Sequence, residues 1–118
     1  NDYNPIQLIL KNYHSYQAWW EAPPPHINYF NMSSLENLLL NTGFKIVKKT
    51  VTFPIDLFLL MGKNYVGNDK IGRECHSLRK NFETNLSKSN EIDLKDKLYQ
   101  KFSELGIGRE IILYGKKE

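Results

Sequence analysis

Only two segments of this chain have the pattern of β-strands, and the second, Ile111-Ile112-Leu113-Tyr114, is apolar at consecutive positions. A strand of that kind is suited to burial on both faces, with a neighbour on each edge. The other, roughly residues 44–53, places Val47, Val51 and Phe53 on one parity with lysines between them. Ile46 breaks the alternation, which predicts either a bulge or a doubly buried start. Pro54 ends the run. Two strands alone make a marginal sheet. The pattern therefore asks for more strands than these residues offer.

The rest reads as helix and turn. Asn1-Asp2-Tyr3-Asn4-Pro5 is rich in residues that hydrogen-bond their own backbone and predicts a turn. Ile6, Leu8, Ile9, Leu10 and Tyr13 predict a short helix within 6–16. Pro23-Pro24-Pro25 then enforces an extended approach, because proline fixes φ and lacks an N–H. Ser33 with Glu36 three residues on is a capping-box pattern, followed by an apolar stripe of Leu35, Leu38 and Leu39. Gly43 suits the left-handed position just past that helix. A short apolar helix is expected over 55–60. Two long amphipathic ones follow, the first carrying Ile71, Cys75, Leu78, Phe82 and Leu86, the second Leu94, Leu98, Phe102 and Leu105.

Composition narrows the function classes. Hydrophobic residues make up 41% of the 118, enough for one globular domain rather than a disordered chain. Sixteen Lys+Arg against thirteen Asp+Glu leave a net charge of +3, with scattered lysines and small doublets at Lys48-Lys49 and Lys116-Lys117. That is no strong nucleic-acid signal. No apolar run reaches the ~18 residues of a membrane span; Ile55 to Met61 is interrupted by Asp56. Cys75 is the only cysteine, which excludes an intramolecular disulfide and fits a cytoplasmic location. His14 and His76 lack partners at ligand spacing, so no metal site is expected.

Several motifs, in order, resemble the C-terminal part of a class I S-adenosylmethionine-dependent methyltransferase. Asn1-Asp2-Tyr3-Asn4-Pro5 is similar to the family's loop past the fifth strand, and His26-Ile27-Asn28-Tyr29-Phe30 to its substrate-side loop. Ser33 to Phe44 resembles the last crossover helix, 45–53 the sixth strand and 109–115 the seventh. Thr52 to Gly62 and Gly106-Ile107-Gly108-Arg109-Glu110 resemble one subfamily, in which helices replace the hairpin between the last strands. The resemblance implies an α/β fragment, mostly helical, with a two-strand antiparallel remnant of a Rossmann-like sheet. Residues 1–118 would be a single substrate-side domain with a helical insertion at about 54–108. S-adenosylmethionine would be the cofactor of a full-length parent and not of this chain alone, which lacks the Gly-rich strand-to-helix turn. Gly106-Ile107-Gly108 is no substitute, since it follows a helix and precedes a strand. The opening on Asn1 rather than Met adds to the expectation of a piece of a longer enzyme, inactive alone, whose partner is its own cofactor-binding half. As a fragment, with an uncovered strand edge, it is expected to form a homodimer.

The candidate catalytic residue is His26, whose imidazole either takes a proton from a hydroxyl or amine nucleophile or orders its loop. The substrate-binding candidates are Asn28 and Tyr29, which either orient an acceptor or pack the loop, and, by resemblance, Asn1, Asp2, Tyr3 and Asn4, which as first residues could also be disordered. Trp19-Trp20 either lines a pocket or anchors the loop. A second class of function stays open: a free-standing helical interaction module that docks a partner through Trp19, Trp20 and the basic doublets.

Overall fold

A computed structural model describes residues 1–90 and 92–118. Among them are five helices and one two-stranded antiparallel sheet, a mixed α/β arrangement. In chain order these are α1 (Pro5–Tyr13), α2 (Met32–Asn41), β1 (Phe44–Val51), α3 (Leu57–Leu60), α4 (Asp69–Lys88), α5 (Ile92–Glu104) and β2 (Ile111–Lys117). Three helices thus separate two strands that pair directly, Phe44 opposite Lys117 and Val51 opposite Ile111.

The break in alternation at Ile46 is a bulge. Ile46 faces Gly115 and Lys48 faces Tyr114, so Val47 is the extra residue, turned out to solvent. The extra residue leaves Lys48 and Lys49 exposed together and brings Val51 into the core. β2 departs from its pattern. Ile111, Ile112 and Leu113 are half-buried and Tyr114 is exposed, because β1 is the only strand paired with it among the described residues.

The cap of α2 also differs from the Ser33–Glu36 reading. Asn31 is the cap: its Oδ1 accepts from the Ser34 N–H at 2.9 Å, and Ser34 Oγ accepts from the Asn31 N–H at 3.0 Å. Asparagine caps as well as serine and holds the extended backbone required, so the helix starts earlier. Glu36 is released to pair with Lys49 on β1. At the other end Gly43 has φ +87°, a conformation that glycine takes at little cost.

The core has two parts. Phe53, Phe58, Cys75 and Tyr99 form one, with Phe53 centred 5.6 Å from Phe58 and 5.5 Å from Phe82. Ile6, Leu10 and Leu59 form the other, where α1 meets α3. Tyr65 packs against both. α5 lies on β1 and α4 on α5. α2 also lies on β1 but buries none of its ten residues, and Leu38 and Leu40 face solvent.

Candidate functional site

Asn4 begins the site because it is the cap of α1. Its Oδ1 accepts from the N–H groups of Ile6 (3.0 Å) and Gln7 (3.1 Å), and Gln7 Oε1 accepts from the Asn4 N–H at 3.3 Å. Pro5 at the first helical position completes the start, where its missing N–H costs nothing. The other half of the Asn4 amide turns inward and donates to Asp56 Oδ2 at 3.2 Å. Asp56 also accepts from the Tyr65 hydroxyl at 2.6 Å. Asn4 and Asp56 are each 2% exposed, so this is a buried polar chain with a partner for each member. Burial, and then the adjacent carboxylate, push the Tyr65 phenol far above its ordinary range, so it stays protonated and donates.

Ahead of the cap, the chain is tied on both sides. Asn1 Nδ2 donates to the carbonyls of Gly106 (2.9 Å) and Gly108 (3.0 Å), which fixes the first residue against the turn into β2. The Asp2 N–H donates to the Phe30 carbonyl at 2.7 Å. The opening residues are therefore ordered through contacts to two distant segments. Between these ties Tyr3 holds φ +54°, a left-handed backbone that is costly for a bulky residue. That turn lays its ring edge-on against Trp20 (5.3 Å) and Tyr29 (6.4 Å). Its hydroxyl donates to Glu21, and this bond raises the phenol above its usual range.

The loop bearing His26 is ordered through Tyr29. The Tyr29 hydroxyl donates to the His26 carbonyl at 2.8 Å and accepts from the Ala22 N–H at 3.1 Å. Trp20 is buried and stacks edge-on against Trp19 at 4.9 Å, so the pair anchors this loop to the body of the protein. The indole Nε1 atoms of both tryptophans are buried without a hydrogen-bond partner.

The sequence candidates thus fall into two groups. Tyr3 and Tyr29 converge, with Trp20 and Glu21, on one aromatic and polar wall, which the Asp2 backbone ties to Phe30; His26 and Asn28 are exposed on the loop beside it. Asn1 and Asn4 turn the other way, into backbone carbonyls and the Asp56 network. Glu21, Asp56 and Tyr65 were not anticipated. The available signal for Asp56 was a lone carboxylate inside an apolar run, which burial tolerates only when it is hydrogen-bonded.

The wall gathers a phenol, a carboxylate and edge-on aromatic rings. The residues do not fit the nucleotide-like donor that the resemblance implies. That donor calls for glycines at a strand-to-helix turn. The connection from β1 to α3 is instead Thr52-Phe53-Pro54-Ile55-Asp56, and Gly108 sits so close to β1 that an added Cβ would lie 2.4 Å from the Val51 side chain. No protein-family model, curated protein or solved structure matches the chain.

Proposed function

We propose that this chain is the substrate-side part of a class I S-adenosylmethionine-dependent methyltransferase, shaping the acceptor site and contributing the last strands of the sheet, with the donor held by residues outside these 118. The observation that carries this reading is the tie between Asp2 and Phe30. The two segments whose sequences resemble the family's acceptor-facing loops lie far apart in the chain, yet they meet to form a single wall. The uncovered face of α2 and the two-stranded sheet support it further, because both are surfaces that another part of a larger fold would cover.

On this reading Tyr3, Glu21 and Tyr29 orient the acceptor, and His26 at the rim of the wall takes the proton from its hydroxyl or amine. Fixing the reacting group contributes several kcal/mol in favourable cases, of order 7–11 for fully oriented partners. Proton removal by a positioned base adds roughly 10²–10⁴-fold. The test is methyl transfer by the full-length polypeptide against a panel of hydroxyl and amine acceptors. His26→Ala should lower turnover by about 10²–10⁴-fold with donor binding intact. Near-normal turnover assigns His26 to loop structure alone.

A further inference from the structure

The chain has sixteen Lys+Arg but only three arginines, Arg73, Arg79 and Arg109. All three border two adjoining hollows where the start of α4 faces the turn into β2. The more enclosed hollow is a cavity of about 310 Å³. Its walls include Ile55, Tyr65 and Cys75, and Arg79 and Arg109 are also among its lining residues. Arg73 belongs to the neighbouring hollow, which shares Tyr65, Gly72 and His76 with the first.

Among the described residues the ion pairs are made by Lys49, Lys63, Lys97 and Lys101, and no carboxylate lies within ion-pairing distance of any arginine. Arg79 Nη2 instead lies 3.1 Å from His76 Nδ1. A guanidinium can only donate, so in this contact Nδ1 is the acceptor. Arginine, not lysine, presents the planar fork that matches a carboxylate in two parallel bonds.

Gly72 supplies a second, independent observation. It is the fourth residue of α4, where glycine costs roughly 1 kcal/mol relative to alanine. Its φ is ordinary, and an added Cβ would meet no atom within 4 Å. Neither backbone strain nor packing calls for glycine there. What it does is leave the helix backbone open to the cavity.

We propose that this cavity binds a small carboxylic acid with an apolar body, the carboxylate gripped by Arg79 and Arg109 and the body seated against Ile55, Tyr65 and Cys75. The volume is at the small end of ligand pockets, which run about 300–1,000 Å³, so a single ring or a short acyl chain fits. Glu110 also lines the cavity. Two guanidiniums face the Glu110 carboxylate on the lining and the Asp56 carboxylate behind Tyr65, so little positive charge is in surplus, which favours a monoanionic carboxylate over a phosphate dianion. The Tyr65 hydroxyl is committed to Asp56, so its ring and not its O–H is offered to the ligand. The site is separate from the wall of Tyr3, Glu21 and Tyr29, and stands whether or not the chain takes part in methyl transfer.

Nuclear magnetic resonance tests this directly, through the arginine Nε–H signals and the Gly72 amide. Benzoate should shift the Arg79, Arg109 and Gly72 signals saturably, and benzamide, the same shape without the charge, should bind at least tenfold more weakly. Arg79→Gln and Arg109→Gln should each weaken benzoate at least tenfold. Gly72→Ala, which meets no atom and keeps the fold, should weaken it measurably by narrowing the cavity. Equal titration by benzoate and benzamide, shifts confined to other residues, or unchanged affinity in the variants would overturn the proposal. Phenyl phosphate binding tenfold more tightly than benzoate would overturn the choice of a monoanion. If an arginine variant does not fold, the comparison of benzoate with benzamide in the unsubstituted protein, together with Gly72→Ala, decides.

Discussion

Asn4 separates a helix cap from a tertiary lock, because aspartate preserves the first and destroys the second. Asn4→Ala removes the cap, worth about 1 kcal/mol, and leaves buried Asp56 without one of its donors, worth about 1–3 kcal/mol more. Asn4→Asp keeps an oxygen for the N–H groups of Ile6 and Gln7, and cap preferences alone rate it neutral. But it puts a second carboxylate where the amide nitrogen stood, 3.2 Å from Asp56 Oδ2. At an effective dielectric near 20, two unit charges at that distance repel by about 5 kcal/mol. The variant should therefore be less stable than Asn4→Ala at pH 8. It should recover as the pH falls toward 5, because the folded carboxylate pair then binds a proton that the unfolded chain does not. The sign is that of a group whose folded pKa is raised: the variant's stability grows on acidification down to the ordinary carboxylate range. Thermal melts followed by circular dichroism at pH 8 and pH 5 measure both effects. For a chain of this size each kcal/mol moves the midpoint by about 3–6 °C. Asn4→Asp melting with the unsubstituted protein at pH 8 would show that Asn4 is only a cap and that the Asp56 network is not a lock.

Three further outcomes follow from the geometry. Gly108→Ala should cost at least about 3 kcal/mol by chemical denaturation, since φ is +125° and the added Cβ would sit 2.4 Å from Val51, whereas Gly72→Ala should be neutral or stabilise by up to about 1 kcal/mol. Burial raises Tyr65, Tyr99 and Cys75 above their ordinary values of 10.0, 10.0 and 9.0, so the unfolded chain releases protons first and stability should fall as pH rises above about 9; Tyr65→Phe with Tyr99→Phe should flatten that decline, and an unchanged slope in urea titrations would contradict it. The uncovered strand edges and the exposed leucines of α2 should drive self-association, so light scattering at micromolar concentration should give twice 13.9 kDa, and a 13.9 kDa species alone would count against it.

What the sequence made legible was local. The period of Ile71, Cys75, Leu78, Phe82 and Leu86 marks α4, although only Cys75 of that stripe is fully buried. The irregular parity at Ile46 leaves a bulge and a doubly buried start equally open, and only the register, with Ile46 opposite Gly115 and Lys48 opposite Tyr114, decides for the bulge. The sequence pattern places the cap of α2 at Ser33, two residues past Asn31, since the two are equally good caps and only the backbone decides between them. The apolar run of β2 predicts burial on both faces, but burial depends on neighbours rather than on the strand's own residues. The site was half legible. The wall of Tyr3 and Tyr29 lies in the two motifs that carry the family resemblance. The lock from Asn4 to Asp56 spans 52 residues and joins a turn to the end of an apolar run, a pairing with no periodic signal in the sequence.

The account's central claim is that these residues serve the acceptor side of a methyltransferase whose donor site lies elsewhere in the polypeptide. Calorimetric titration with S-adenosylmethionine, run in parallel on residues 1–118 and on the product of the complete reading frame, tests it most directly. The account predicts saturable binding by the complete product and no measurable heat from residues 1–118. Sub-millimolar binding by residues 1–118, or none by the complete product, would contradict it.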